Sequence, residues 1–176
     1  MQDLDILNNS FLIIGGPNTK KSEVARNLAK YFDYKLINLD REKHAYFNDF
    51  TDFDYDKYLE IKEKDEIKAL NYIHKYEMNH LKYILDNIKE NVVIDFGNTY
   101  TLIDNKNILE NIKLFKNIIL LELDEIEKDR TSLFEKKLYN NKVNKMIATT
   151  IINIEHKKAN DVMKEIINNK EYKDIL

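Results

Sequence analysis

A segment near the N-terminus has the residue types and spacing of a phosphate-binding loop. From Gly15 to Ser22 it reads G-G-P-N-T-K-K-S, and the P-loop pattern is G-x-x-x-x-G-K-[ST]. Its first glycine, its lysine and its hydroxyl residue are matched by Gly15, Lys21 and Ser22. In such a loop backbone N–H groups surround the phosphates, the lysine reaches the β- and γ-phosphates, and the hydroxyl binds Mg²⁺. The candidate nucleotide-binding residues are therefore Gly15, Gly16, Pro17, Asn18, Thr19, Lys20, Lys21 and Ser22.

Lys20 stands at the second glycine of the pattern. A phosphate cradle usually requires a positive φ there, which glycine adopts freely and lysine adopts only with strain. The alternative is an ordinary strand-to-helix turn whose lysines are solvated. The context favours a phosphate loop, because the segment lies between an apolar strand and an amphipathic helix. Whether the loop still binds a nucleotide stays open at this point.

The flanking residues predict the elements that would position this loop. Phe11–Ile14 is an apolar run of strand length, and helical spacing follows through Val24, Leu28, Ala29 and Phe32. A second apolar run, Lys35–Leu39, ends on Asp40. Strand, loop, helix and strand form the first unit of a parallel α/β sheet.

A second acidic residue follows another apolar run. Asn91–Asp95 reads N-V-V-I-D, and ligands in open α/β sheets lie at the carboxyl ends of the strands. Asp95 could therefore hold Mg²⁺ or its water, as the acid that follows a Walker-B strand does. Alternatively, Asp95 caps the helix predicted over Asp104–Phe115 or the turn before it. The sequence leaves these two interpretations open.

The rest of the chain completes an alternating pattern. Arg41–Asp56 has no clean period and is interpreted as a surface excursion that buries its aromatic residues, with a pocket-lining loop containing short helical turns as the alternative. Lys57–Lys89 is strongly helical, with a break near Lys64-Asp65. The remaining predicted elements are strands at Asn117–Leu123 and Thr149–Ile154, helices at Glu125–Leu138 and Ala159–Asn169, and a lead-in at Met1–Ser10. This pattern predicts an α/β fold with about five parallel strands and helices on both faces.

Composition limits the classes of function. At 176 residues the chain is expected to be one domain over its whole length. A net charge of −3 argues against nucleic acid as the main partner. The absence of cysteine excludes disulfides and thiolate metal sites, and the histidines lack metal-ligand spacing. No apolar run reaches membrane-spanning length and no signal peptide is evident, so a cytoplasmic protein without membrane contact is expected.

In these residues the chain resembles shikimate kinases, which belong to the small P-loop kinases together with adenylate and cytidylate kinases. The resemblance implies a three-layer P-loop NTPase fold, ATP and Mg²⁺ as cofactors, and a small-molecule acceptor. It rests on three segments, which read FLIIGGPNTKKSEVARNLAKYFDYKLINLD, VVIDFGNT and IILLELDEIEKDR.

The resemblance assigns roles to several residues. Asp40 matches the acid that contacts the substrate hydroxyls and is the candidate base, and Asn38 falls on an acid that helps to organise Mg²⁺. Gly97, with Asn98 beside it, lies where the family holds the substrate with a glycine triplet. Arg130 stands at the position whose side chain packs on adenine.

Three departures from the family bear on the substrate. His74 replaces an arginine that binds the substrate carboxylate, and the later binding arginine falls in a stretch, 139–142, that contains none. The lid looks short, with residues 131–137 standing for it in a region near 131–145. Since an arginine fork suits a carboxylate, shikimate is disfavoured as the substrate.

Two hypotheses follow for the function. The first is an ATP-dependent kinase with a degenerate site that transfers the γ-phosphate to a hydroxyl of a small metabolite. Lys21 and Asp40 would be its catalytic residues, Ser22 and Asp95 would position Mg²⁺, and Asp40, His74, Gly97 and Asn98 would contact the substrate. The second is an inactive P-loop pseudokinase that binds a nucleotide weakly or not at all and acts through protein contacts, with Asp49–Tyr58 as the candidate surface.

Overall fold

The computed structural model describes residues 3–123, 138 and 142–169. The strands are β1 (Phe11–Gly15), β2 (Lys35–Asn38), β3 (Val92–Asp95), β4 (Asn117–Glu122) and β5 (Thr150–Asn153). The first helices are α1 (Leu4–Asn9), α2 (Lys21–Phe32), α3 (Leu39–Phe50), α4 (Tyr55–Lys64) and α5 (Glu66–Asp86). They are followed by a 3₁₀ turn at Thr99–Thr101, then α6 (Lys106–Ile112), α7 (Lys142–Ile147) and α8 (Ala159–Asn168).

The five strands form one sheet in the order β2-β3-β1-β4-β5, and every pairing is parallel. The α/β fold with about five parallel strands predicted from the sequence is confirmed. Asn38 pairs with Asp95, and Ile13, two residues before the end of β1, pairs with Asp95 from the other side. The register therefore brings the ends of β1, β2 and β3 together at one edge.

Helices cover both faces of the sheet, as the alternating pattern predicted. Leu12 and Ile14 of β1 pack into a core with side chains of α1, α5, α6 and α7. Phe11 and Ile13 point to the opposite face and pack with side chains of α2 and α8. Because β1 is buried on both sides, the loop that follows it is anchored at the centre of the molecule. In the described part of the chain, no helix is long and apolar enough to cross a membrane.

Residues 39–50 differ from the sequence-based expectation. They form α3 rather than an irregular excursion, and the Asn38 side chain caps the helix by accepting from the Arg41 N–H at 2.9 Å. Phe47 is buried, but Phe50 is 63% exposed, so the expected burial of Phe50 was wrong. The helical period was hidden because residues 40–44 are all polar or charged, which leaves the first turns of the helix without an apolar stripe.

Two other boundaries can be compared with the prediction. The break near Lys64-Asp65 is confirmed, because Asp65 ends α4 and its side chain caps α5 through the Lys68 N–H at 3.0 Å. The segment before β1, expected to be a lead-in, contains the short helix α1. Asn117 at the start of β4 donates to the Asn8 carbonyl at 2.9 Å, which ties this helix to the sheet.

Candidate active site

The loop between β1 and α2 adopts the backbone conformation that a phosphate cradle requires. Lys20 has φ 59° and ψ 17°, and Asn18 has φ 60°. Both conformations are left-handed, which asparagine tolerates but which costs a lysine about 1–2 kcal/mol. The Lys20 ammonium donates to the Lys157 carbonyl at 2.6 Å, a contact that offsets part of this cost. Lysine therefore occupies the glycine position with the dihedral angles of a glycine.

The backbone N–H groups of this loop remain available to a ligand. Among the described residues, no acceptor receives a hydrogen bond from the N–H groups of residues 18–22. The loop is closed instead by the Thr19 hydroxyl, which donates to the Gly16 carbonyl at 2.7 Å. Free N–H groups at the start of a helix and beside left-handed residues form the usual nest for an anion.

Lys21 lies in this loop with its side chain buried. Its ammonium donates to the Gly16 carbonyl and to Asn98 Oδ1, each at 2.8 Å. Burial lowers the pKa of Lys21 to about 8, although the charges of Asp95 and Asp40 act to raise it. At neutral pH the ammonium is therefore mostly protonated and suited to bind phosphate oxygens.

Asp95 ends β3 and is 3% exposed. Its Oδ2 accepts from the Asn38 amide at 2.5 Å, and the Ser22 hydroxyl also bonds to its carboxylate. Burial raises the pKa of Asp95. The alternative role as a cap is not needed for α6, because Asn105 caps that helix through the N–H groups of residues 107 and 108. The sequence left these roles open, and the structure joins Asp95 to Ser22.

The oxygens of Ser22 and Asp95 fit a magnesium ion. Mg²⁺ prefers oxygen ligands and is usually held by one or two protein groups together with substrate phosphates and water. No group of three or more acidic, histidine or cysteine side chains in the described part of the chain could hold a metal ion. A hydroxyl and a carboxylate beside the phosphate loop match the usual arrangement.

Asp40 lies in the first turn of α3, next to Gly97. A Cβ atom at position 97 would lie 2.3 Å from Asp40 Oδ1. Only a glycine therefore leaves room for the carboxylate in this position. Lys43 holds the same carboxylate through a 3.1 Å contact between its ammonium and Oδ1.

Sequence reasoning missed the partners of this carboxylate. Glu77 is fully buried on α5, and its Oε1 accepts from Lys43 at 3.0 Å and from the Thr99 hydroxyl at 2.7 Å. Burial raises the pKa of Glu77, and Lys43 opposes that change. The sequence carried one signal, since Glu77 is a charged residue within the apolar stripe of a helix. Lys43 stood in a segment without a clear period.

Two cavities meet at this edge of the sheet. The phosphate-loop cavity has a volume of about 350 Å³ and is lined by Asn18, Thr19, Lys20, Lys21, Ser22, Glu23, Asp40, Asp95, Phe96 and Asn98. The second, which we call the α3–α5 cavity, has a volume of about 530 Å³. Its described lining consists of Pro17, Asp40, Lys43, Tyr58, Lys62, Glu66, Ala69, Leu70, Ile73, Glu77, Asn98, Thr99 and Leu138. Asp40 and Asn98 line both.

The other candidate residues have different surroundings. His74 Nε2 lies 3.0 Å from Asp104 Oδ1, and His74 belongs to the lining of neither cavity. Residues 124–137 and 139–141 lie outside the described residues, so the helix over Glu125–Leu138, the adenine contact of Arg130 and the short lid stay predictions.

Comparison with solved structures finds proteins of the same fold. A shikimate kinase from Aquifex aeolicus VF5 has a TM-score of 0.62 and 23% identity, covering 90% of this chain and 94% of that one. A shikimate kinase from Acinetobacter baumannii in complex with shikimate has a TM-score of 0.63 and 15% identity, covering 94% and 95%. The YorR protein of Bacillus subtilis, in complex with phosphorylated GDP, has a TM-score of 0.50 and 16% identity, covering 89% and 92%.

The chain thus has the fold of the P-loop kinases. Its fold is similar to that of shikimate kinases over about nine tenths of its length, which confirms the resemblance at the level of the fold. No protein-family model matches the sequence, and no curated protein matches it.

Proposed function

We propose that this protein is an ATP-dependent kinase that transfers the γ-phosphate to a hydroxyl group of a small metabolite. The observation that carries the proposal is the position of Asp40 in the wall common to the two cavities. Lys21, Ser22 and Asp95 lie in the cavity on one side, and room for a small molecule lies on the other. A kinase needs this order of phosphate site, carboxylate and acceptor site.

The loop would bind the phosphates of the nucleotide. The free N–H groups of residues 18–22 would receive phosphate oxygens, and Lys21 would bind those of the β- and γ-phosphates. Ser22 and Asp95 would hold Mg²⁺, which when bound would neutralise charge on the phosphates. Asn38 keeps the Asp95 carboxylate in place from the neighbouring strand.

The acceptor side would contribute the base. The acceptor hydroxyl oxygen forms a bond to the γ-phosphorus while the bond from that phosphorus to the β–γ bridging oxygen breaks, and ADP leaves. Asp40 orients the hydroxyl and accepts its proton. Lys43 and Gly97 act as positioning residues, since one donates to the carboxylate and the other leaves the space it fills.

Calorimetric titration with ADP and ATP in the presence of Mg²⁺, together with a coupled assay for ADP release, tests the proposal. Lys21→Ala should abolish nucleotide binding and transfer. Asp40→Asn should keep nucleotide binding and lower the transfer rate by roughly 10²–10⁴-fold. Absence of nucleotide binding at millimolar concentration would overturn the kinase assignment and leave the non-catalytic alternative. ADP release that survives Lys21→Ala would identify a contaminating activity.

A further inference from the structure

The described lining of the α3–α5 cavity carries an excess of negative charge. Asp40, Glu66 and Glu77 contribute three carboxylates, whereas Lys43 and Lys62 contribute two ammonium groups. Glu77 is the most deeply buried of these groups. The described side chains of this lining therefore disfavour a ligand that carries its own carboxylate.

Neither lysine offers a free buried cation. The Lys43 ammonium already lies 3.1 Å from Asp40 and 3.0 Å from Glu77, so two carboxylates compensate its charge. Lys62 is exposed on α4, with its ammonium 6.0 Å from the centre of the Tyr58 ring. A carboxylate in the cavity would thus find no described group comparable to a bidentate arginine.

One atom of the lining requires a hydrogen-bond donor. Glu77 Oε2 is buried and has no partner among the described residues, whereas Oε1 accepts from both Lys43 and Thr99. Buried polar atoms in folded proteins are nearly always hydrogen-bonded. Because Glu77 lines the cavity, a bound molecule can supply that bond with a hydroxyl or an ammonium group.

We propose that the acceptor is a polyhydroxylated compound or amino alcohol without a carboxylate, one of whose O–H or N–H groups donates to Glu77 Oε2. This inference rests on the proposed function, because it assigns the acceptor side of the same site. A second hydroxyl, turned toward Asp40, receives the phosphate.

Binding of matched ring compounds to the intact protein tests the acceptor class without requiring catalysis. The probes are myo-inositol, which is uncharged, 2-deoxystreptamine, which is cationic, and quinate, a hydroxylated ring of similar size with a carboxylate. In NMR titrations with and without saturating ADP, one of the first two should bind at least about tenfold more tightly than quinate, the equivalent of one hydrogen bond to a charged group. Equal or tighter binding of quinate, or no binding of any probe at millimolar concentration, overturns the proposal.

Two amide variants distinguish the effect of the unpaired Glu77 Oε2 atom from the effect of the overall charge of the cavity. Glu77→Gln can still accept from Lys43 and Thr99 but presents an N–H₂ group in place of Oε2, so binding of the favoured probe should weaken and binding of quinate should strengthen. Glu66→Gln removes the same unit of charge from the exposed start of α5 and should shift the ratio of the two dissociation constants far less. Equal shifts in both variants overturn the role of Oε2. If Glu77→Gln does not fold, as shown by circular dichroism, the wild-type ranking decides.

The proposal of the acceptor class and the proposal of kinase activity can be overturned separately. Selective probe binding without nucleotide binding would overturn the proposed kinase and leave the ligand class intact. Phosphate transfer to quinate in preference to the neutral and cationic rings would support the kinase and overturn the acceptor class.

Discussion

The Asp40 carboxylate occupies the space into which a side chain at position 97 would project, since a Cβ there would lie 2.3 Å from Oδ1. Gly97→Ala must therefore displace Asp40 while leaving the phosphate loop in place. We expect the transfer rate to fall by roughly 10²-fold, the usual effect of moving a reacting group by about 1 Å. ADP affinity should stay close to that of the wild type. Parallel measurement of kcat and of ADP binding checks this, and equal losses in both would show that the substitution acts on the whole fold.

Lys20 has a left-handed backbone, and its ammonium donates to the Lys157 carbonyl in the loop after β5. Lys20→Gly should release about 1–2 kcal/mol of backbone strain and lose the contact with the Lys157 carbonyl, worth about 1 kcal/mol, so the stability should change little. Lys20→Met keeps the strain and loses only the contact, and should be less stable than Lys20→Gly. Thermal denaturation measures both variants. A Met variant as stable as the wild type would show that the contact with the Lys157 carbonyl contributes nothing to stability.

Lys21 should take up a proton when a nucleotide binds. Its pKa of about 8 leaves the amine largely neutral at pH of about 9, and phosphate charges raise the pKa of a nearby ammonium. ADP binding should therefore be coupled to proton uptake by this amine at pH of about 9, where the phosphates of ADP are already ionised. Calorimetry in buffers with different ionisation enthalpies measures the uptake. Identical apparent enthalpies in all buffers at this pH would contradict it.

Lys43 and Glu77 form a buried ion pair 3.0 Å long. Lys43→Met leaves the Glu77 carboxylate without its cation and should lower the free energy of unfolding by about 3–5 kcal/mol. Adding Glu77→Met should restore part of this loss, because the uncompensated charge is removed as well. Urea denaturation of the two single variants and the double variant gives the coupling energy. Strictly additive losses would mean that the two groups do not stabilise each other.

His80 makes the fold sensitive to moderate acid. Its Nδ1 lies 2.6 Å from the Tyr100 hydroxyl, and burial lowers its pKa to about 4, with Lys43 acting in the same direction. Between pH of about 6.5 and 4 the unfolded chain binds this proton and the folded chain does not, so stability falls as the pH falls, by up to about 3 kcal/mol. His80→Gln removes the titration and should flatten this part of the stability profile. Parallel profiles for the wild type and the variant would contradict the assignment.

The sheet and its phosphate loop could be predicted from the sequence because local patterns determine them. Apolar runs such as Phe11–Ile14, which are of strand length and are followed by a turn, favour a buried strand, and the break at Asp65 follows from its capping side chain. Asp40 and Asp95 could be placed at one edge because parallel strands end together. The left-handed requirement at position 20 was also visible, although the contact with Lys157 was not.

Contacts between residues that are far apart in the sequence could not be predicted from it. Lys43 and Glu77 are separated by 34 positions, and nothing local to either residue indicates that they pair. The helix α3 was missed because residues 40–44, in its first turns, are all polar or charged, so the apolar stripe on which helix prediction depends is absent there. His74 was assigned to the substrate by resemblance, yet its partner is Asp104.

Asp40 and Asn98 form the wall between the two cavities. Because these two side chains line both cavities, a molecule bound in one cavity alters the surroundings of a molecule bound in the other. Occupancy of one side should therefore change the affinity of the other, and thermodynamic linkage requires the effect to be the same in both directions. Two side chains would suffice to couple the two binding sites.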